Sequence, residues 1–117
     1  MKHAWVLAIV LANSQTVLAF SGNQLIEQLK LHQQITDGRI KAGESTSVEA
    51  AFALGFVSGI FFVLNDIDSR VCLPAGGINT QYMSVTQRFL ENNPNQLHRP
   101  AQSLVREAAI QAFPCKR

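Results

Sequence analysis

Fifteen consecutive residues without a charged side chain, Ala50 to Leu64, constrain the fold of this chain more than any other feature. They form most of the segment SVEAAFALGFVSGIFFVLND, which follows a capping-box pattern made by Thr46 and Glu49. An amphipathic surface helix would have a polar face, whereas a helix that is apolar on all sides is buried. The run therefore predicts a long helix at the centre of the domain.

Two glycines in this run, Gly55 and Gly59, lie four residues apart and on one face of the predicted helix. Because they have no side chains, a second helix could approach closely there, and we interpret them as positions of close helix packing. The same spacing occurs in transmembrane dimers, but a bilayer requires about 20 consecutive apolar residues. A core helix is the favoured interpretation.

The first 19 residues have the three parts of a secretory signal peptide. Lys2 and His3 precede the apolar run AWVLAIVLA, and the small residue Ala19 ends the segment. This run is too short for a membrane anchor, which is the alternative interpretation. We predict cleavage after Ala19, a single mature domain over residues 20–117, and export from the cytoplasm.

The predicted mature domain is nearly neutral. It contains nine of the chain's ten Lys and Arg residues, since Lys2 lies in the leader, and all eight Asp and Glu residues, which leaves a net charge near +1. It has no basic stripe and no alternation of basic and aromatic residues. Nothing in the sequence therefore indicates a nucleic-acid partner.

Cys72 and Cys115 are the only cysteines of the chain. In a small exported domain an even number of thiols favours a disulfide, and two cysteines allow one intramolecular pairing. The chain-entropy model gives such a bond about 4 kcal/mol of stabilisation for a loop of this length. The alternative, a catalytic cysteine with His98 as its base, needs a free thiol, which export disfavours.

Three further segments have a helical period, and no segment has the alternation of a strand. The first begins at a capping box of Ser21 and Gln24 and ends at the loop TDGRIKAGE, residues 36–44. The third is capped by Asn79 or Thr80 and ends at Pro94, and the fourth starts at Pro100. We expect their apolar positions to face the core: Leu25, Ile26 and Leu29, then Tyr82, Met83, Val85, Phe89 and Leu90, then Ala101, Leu104, Val105, Ala108 and Ala112. The predicted fold is all-α, a small bundle of about four helices around the buried central helix.

No residues have the spacing of a catalytic, cofactor or metal site. Ser58 in GFVSG is one position late for a nucleophile elbow and lies within a helix. His32 and His98 lack the spacing of metal ligands, and Asp66 and Asp68 supply too few oxygens for calcium. By elimination we predict a binding protein that is not an enzyme and needs no cofactor. The exposed candidate surfaces are the 36–46 loop, the 65–70 turn and the polar faces of the helices.

Three stretches, ALGFVSGIFFVLN, VCLPAGGINTQ and FLENNPNQLHRPAQSLVREAAIQAFPC, resemble the Rap/Tai-type immunity proteins of type VI secretion systems. The likeness extends from Val48 to Cys115. It rests on the order of the motifs G-[FY]-[VI]-x-G, C-[LIV]-P-x-G, a glutamine at Gln81, [FY]-L-x-x-[NDH]-P, L-H-x-P-A and A-F-P-C. Before Val48 we recognise no motif of this family.

The resemblance implies a helical and often dimeric periplasmic protein that binds and inhibits a peptidoglycan amidase effector. It also implies an inhibitor rather than an enzyme, and a bond between the two cysteines that match Cys72 and Cys115. Because the shared motifs consist of scaffold residues, no contact residue follows from them.

Two other classes of function stay open. Periplasmic acid-stress chaperones are also small, exported and helical, carry one disulfide, and act by exposing apolar surface when carboxylates become protonated. Few of the eight acidic residues of this chain lie in the predicted core, so such a trigger is not obvious. The other class is a structural or interaction module of the cell envelope.

Overall fold

The computed structural model describes residues 20–116, which form four α-helices and one short 3₁₀ turn. Helix α1 spans Gly22–Thr36, α2 Glu44–Ile67, α3 Asn79–Asn92 and α4 Ala101–Ala112, and the 3₁₀ turn at Pro94–Gln96 lies between α3 and α4. Extended pairing within the described residues is limited to two isolated bridges. The predicted all-α fold is confirmed. The predicted leader, residues 1–19, lies outside the described residues.

Helix α1 begins at the predicted capping box. The backbone N–H of Gln24 donates to Oγ of Ser21 (3.4 Å), and the backbone N–H of Ser21 donates to Oε1 of Gln24 (2.9 Å). Two orphan groups at the helix start are thereby satisfied. The helix runs through Thr36, so the loop that follows it is residues 37–43, slightly shorter than predicted.

Helix α2 begins earlier than predicted, and the capping role assigned to Thr46 and Glu49 is wrong. The N-cap is Gly43, and Thr46 is the third helical residue. Oγ1 of Thr46 accepts a hydrogen bond from the backbone N–H of Gly43 (2.7 Å). Because a hydroxyl can accept as well as donate, Thr46 takes the part that Glu or Gln plays in an ordinary capping box.

The start of α3 also differs from the prediction. Its N-cap is Ile78, without a side-chain hydrogen bond, and Asn79 is already helical. The predicted apolar faces of α3 and α4 are otherwise confirmed as buried or half-buried, except Ala112, which is exposed in the last turn of α4. Pro100, expected as the first residue of α4, is its N-cap.

Helix α2 packs against each of the other three helices and is therefore central, as predicted. Its buried residues are Ala50, Ala53, Val57, Ser58, Phe61 and Leu64. The opposite face is exposed, however, because three neighbouring helices cannot surround a fourth on every side. By length and composition α2 could cross a membrane, and 33% of its most apolar window is buried in the fold.

An aromatic cluster joins three of the helices at the centre of the core. The ring of Phe61 stacks on that of Tyr82 at 4.9 Å between centroids. Phe113, which follows α4, meets both rings edge-on, at 6.1 Å and 5.8 Å. The end of the chain is thus held against α2 and α3 by packing as well as by covalent linkage.

The start of α1 pairs with the start of α4. Ser21 and Pro100 form an isolated antiparallel bridge, and the N–H of Gly22 donates to the carbonyl oxygen of Arg99 (3.0 Å). Gly22 is buried, and a Cβ built there would overlap Leu104. Only glycine allows the two chain segments to lie this close together.

Candidate functional site

The disulfide Cys72–Cys115 predicted from the sequence is confirmed, with 4.9 Å between the two Cα atoms. Backbone hydrogen bonds hold the same two segments together: the N–H of Cys72 donates to the carbonyl oxygen of Phe113 (2.9 Å), and the N–H of Cys115 to that of Arg70 (3.3 Å). The bond therefore fixes two segments that are also paired through their backbones. It ties the end of α4 to the turn after α2.

The 65–70 turn is organised by the carboxylate of Asp68. It accepts hydrogen bonds from Arg70 (3.1 Å) and from Nε of Arg106 on α4 (3.2 Å). The hydrogen bonds from Arg70 hold the pKa of Asp68 below its usual range. This turn was a candidate recognition surface, but its carboxylate is already used to join the end of α2 to α4.

The described residues 20–116 contain no group of three His, Cys, Asp or Glu side chains that could hold a metal ion. Ser58 is buried in α2, and both cysteines are bonded to each other. His32 lies on α1, whereas His98 lies in the turn before α4. The residues that the sequence offered as candidate catalytic or metal-binding groups therefore do not form a common site.

A polar cleft of about 390 Å³ lies between α1 and α3. The amide of Gln87 on α3 donates to Oε1 of Gln33 on α1 (2.9 Å) and to Oε1 of Glu91 (3.0 Å), which bridges the cleft. Charged and polar side chains line it: His32, Gln33, Asp37, Ser84, Arg88 and Glu91. Such a lining can make hydrogen bonds and ion pairs with a protein surface.

The loop of residues 37–43 continues this cleft. Asp37 lines the cleft and also forms an ion pair with Arg39, with 2.9 Å between Nη2 of the arginine and Oδ2 of the aspartate. Both side chains are exposed. Gly38 takes a positive φ of 71°, which turns the chain sharply after α1. The cleft and the loop form one continuous polar surface, which includes most of the 36–46 segment predicted as a recognition surface.

A second surface was not predicted from the sequence, the exposed apolar face of α2. Val48 is 66% exposed, Phe52 49%, Phe62 50% and Val63 54%. Large apolar side chains exposed together on one helix are unusual in a monomer and mark interaction sites. The uncharged run predicted burial on all sides of this helix, and that prediction is wrong for this face.

Gly55 and Gly59 lie in the middle of this exposed face. A Cβ built at either glycine would have no atom within 4 Å. No other helix of the described chain therefore packs on them. Among residues 20–116, no helix makes the close packing predicted at these glycines.

The comparisons with known proteins agree with the fold. A family model described as Rap1a immunity proteins matches residues 21–115, from the N-cap of α1 to the second cysteine. The expectation that the family likeness begins only at Val48 is therefore wrong, because the match also includes α1 and the 37–43 loop. No curated protein and no solved structure matches the chain significantly. The match includes all four helices and both cysteines, and the chain therefore belongs to the Rap1a immunity protein family.

Proposed function

We propose that this protein is a periplasmic immunity protein that binds and inhibits a peptidoglycan amidase effector of a type VI secretion system. The observation that carries the proposal is family membership over residues 21–115. An immunity protein acts by binding a cognate effector protein, so no catalytic machinery of its own is required. The amidase as target comes from the sequence resemblance to the Rap/Tai-type proteins.

Two features support the periplasm as the location. Residues 1–19 have the pattern of a secretory signal peptide. The bond between Cys72 and Cys115 also suits an oxidising compartment, since cytosolic thiols are kept reduced. An effector that cuts peptidoglycan would be met in the same compartment.

We place the effector contact on the polar surface formed by the α1–α3 cleft and the 37–43 loop. This surface presents both signs of charge, with Arg88, Asp37 and Glu91 exposed around the cleft. It also contains the exposed loop of residues 37–43, and exposed loops on a rigid scaffold commonly carry recognition. Binding there would occlude the effector's own substrate cleft.

The test adds increasing amounts of this protein to the amidase encoded nearest to this gene and measures the rate at which the amidase cleaves peptidoglycan amide bonds. We expect inhibition that is complete at a 1:1 ratio of subunits. Arg88→Glu should weaken inhibition at least tenfold, because it reverses a charge in the cleft, whereas the matched variant Gln102→Glu on the exposed side of α4 should not. Full amidase activity in the presence of excess folded, oxidised protein would reject the proposal.

The proposal includes a homodimer, which the resemblance implies and which the exposed apolar face of α2 supports. The same face favours a second candidate, an acid-stress chaperone, because such proteins bind clients through apolar surface. Suppression of client aggregation near pH 3, combined with no effect on the amidase, would favour the chaperone over the immunity protein.

A further inference from the structure

We propose that the segment of the effector which enters the α1–α3 cleft carries an acidic side chain that pairs with Arg88, and beside it an apolar side chain that fills a hollow between α3 and α4. The inference rests on the proposed function and names the chemistry of the partner's contact. It also extends that contact across α3, beyond the cleft and the 37–43 loop.

Arg88 differs from the other arginines of the described chain in having no carboxylate partner. Residues 20–116 contain five arginines, and all but Arg88 form ion pairs at 2.7–3.1 Å: Arg39, Arg70, Arg99 and Arg106. A guanidinium presents five N–H donors in a planar fork that fits a carboxylate. The side chain of Arg88 is exposed, so it is available to a carboxylate from another molecule.

The two carboxylates that line the cleft are already engaged. Asp37 pairs with Arg39 (2.9 Å), and Oε1 of Glu91 accepts a hydrogen bond from the amide of Gln87 (3.0 Å). Glu91 follows Arg88 by three residues, a spacing at which opposite charges on a helix can pair, but these two form no ion pair in the structure. Of the arginine and carboxylate groups in the cleft, Arg88 is thus the one without a side-chain partner among residues 20–116. A free cation favours an acidic partner over a basic one.

Arg88 lies on the ridge of α3 between two hollows. Towards α1 it lines the polar cleft, together with Gln33 and Gln87. Towards α4 it lines a second, smaller hollow of about 200 Å³. A group bound at the guanidinium of Arg88 is therefore next to both hollows.

The smaller hollow is suited to an apolar side chain. Its buried and half-buried lining residues are all apolar: Val85, Phe89 and Ala108. The polar residues that line it, Asn92 and Gln111, are exposed. Since a cavity of about 150 Å³ can hold a benzene-sized molecule, the hollow has room for one leucine or phenylalanine side chain. An arginine beside an apolar pocket is the kind of arrangement that contributes most of the affinity at protein interfaces.

One short segment of a partner can reach both features. The helix is about 10 Å across, so a group at Arg88 and a group in the hollow beside it are separated by about half of that width or slightly more. Successive residues of an extended chain advance about 3.3 Å. An acidic residue and an apolar residue one or two positions apart on a loop or strand of the effector would therefore bind at both places.

The first experiment compares two variants that remove opposite charges from the cleft. Arg88→Gln and Glu91→Gln are each titrated into the amidase encoded nearest to this gene, and their inhibition constants are measured. We expect Arg88→Gln to inhibit at least about tenfold more weakly than Glu91→Gln, because the partner's carboxylate loses its counter-charge in the first and a repulsion in the second. The control Lys116→Gln removes a positive charge after the disulfide and should stay within about twofold of the natural protein. Equal constants for the two cleft variants, or the reverse order, would overturn the inference.

The second experiment looks for the carboxylate on the amidase. Each exposed Asp and Glu of the amidase is replaced by Lys in turn, and each amidase variant is assayed against Arg88→Glu. We expect one replacement to strengthen inhibition by about tenfold, because it rebuilds the ion pair with the charges exchanged. A purely structural role of Arg88 could not be rescued in this way. If no replacement restores inhibition, although the natural protein inhibits the natural amidase, the inference is wrong.

The third experiment fills the hollow. Ala112→Phe places a ring where we expect the partner's apolar side chain, and the fold should tolerate it because Ala112 is exposed, which circular dichroism checks. We expect inhibition to weaken about tenfold. The matched variant Gln102→Phe, at an exposed position of the same helix, should inhibit like the natural protein. Undiminished inhibition by folded Ala112→Phe would show that the contact does not cross α3 and would overturn the inference.

These experiments separate the inference from the proposed immunity role. A natural protein that does not inhibit the amidase would reject the proposed function, and the inference with it. Equal inhibition by the natural protein, Arg88→Gln, Glu91→Gln and Ala112→Phe would leave the proposed function standing and remove the inference alone.

Discussion

At the scale of single residues, two buried hydroxyls in the helices differ in whether they have a partner. Oγ1 of Thr86, fully buried in α3, donates to the carbonyl oxygen of Tyr82 (2.9 Å). Oγ of Ser58, 6% exposed in α2, has no hydrogen-bond partner in the structure. A buried polar group contributes to stability only when its hydrogen bond is made.

Replacement of these hydroxyls should therefore have opposite effects. Thr86→Val keeps the side-chain shape and loses the bond, and we expect it to lower the free energy of unfolding by about 1 kcal/mol. Ser58→Ala removes an unpaired group, so we expect no loss and a gain of up to about 1 kcal/mol. Urea denaturation of both variants measures the difference. Equal losses in the two would show that Ser58 is also paired in solution.

Asp68 should make stability depend on acidity. Its pKa is lowered in the folded state, chiefly by hydrogen bonds from Arg70. A carboxyl group with a lowered pKa contributes stability above its unfolded pKa of about 4, and that contribution is lost as the pH falls through the lowered value. The difference in melting temperature between the natural protein and Asp68→Asn should thus be constant from pH 7 to about pH 5 and shrink below about pH 4. A difference that grows with acidity would contradict the assignment.

At the scale of the elements, the contact between the starts of α1 and α4 depends on Gly22. Gly22→Ala would push a methyl group against Leu104 and to 3.0 Å from the carbonyl oxygen of Leu97, a backbone atom that cannot move freely. We expect a loss of about 1–3 kcal/mol, the usual cost of overpacking. The neighbouring exposed position provides the control: Asn23→Ala should cost less than about 0.5 kcal/mol, because it adds nothing to the packed interface. Similar melting temperatures for the two variants would argue against the close approach.

The sequence predicted the helices well because each has a strong local signal. The capping box of Ser21 and the 3.6-residue period of α3 and α4 are properties of short segments. The start of α2 was harder to predict, because two capping boxes fit the sequence there. One pairs Gly43 with Thr46, as the structure shows, and the other pairs Thr46 with Glu49. The exposed face of α2 could not be predicted from its apolar run, because how many neighbours a helix has is a property of the whole bundle.

At the scale of the whole molecule, the disulfide is the long-range contact that the sequence predicts most directly. Cys72 and Cys115 are 43 residues apart, and the pairing was predicted from their number and the leader alone. The ion pairs of Asp68 with Arg106 and of Arg99 with Glu107 had no such signal, because they join charges from separate segments of an otherwise unremarkable surface. The polar cleft was missed for the same reason, since its lining comes from α1 and α3 together.

Removal of the disulfide should weaken the fold without abolishing it. The backbone bonds of Cys72 and Cys115 and the packing of Phe113 stay in place when the sulfurs are separated. We expect the double variant Cys72→Ser with Cys115→Ser to lose about 2–4 kcal/mol in the free energy of unfolding, through the larger conformational entropy of its unfolded chain. Urea denaturation, with the natural protein in reducing buffer as a second comparison, measures this. A double variant as stable as the oxidised protein would show that the bond constrains nothing.

Survival of cells tests the immunity role in the compartment proposed for it. The amidase encoded nearest to this gene is directed to the periplasm of bacteria that carry either the full chain or residues 20–117 without the leader. We predict that the full chain restores growth and that the chain without the leader does not, because only the former would meet the amidase. Lysis of cells in which oxidised, folded protein has accumulated in the periplasm would contradict the central claim.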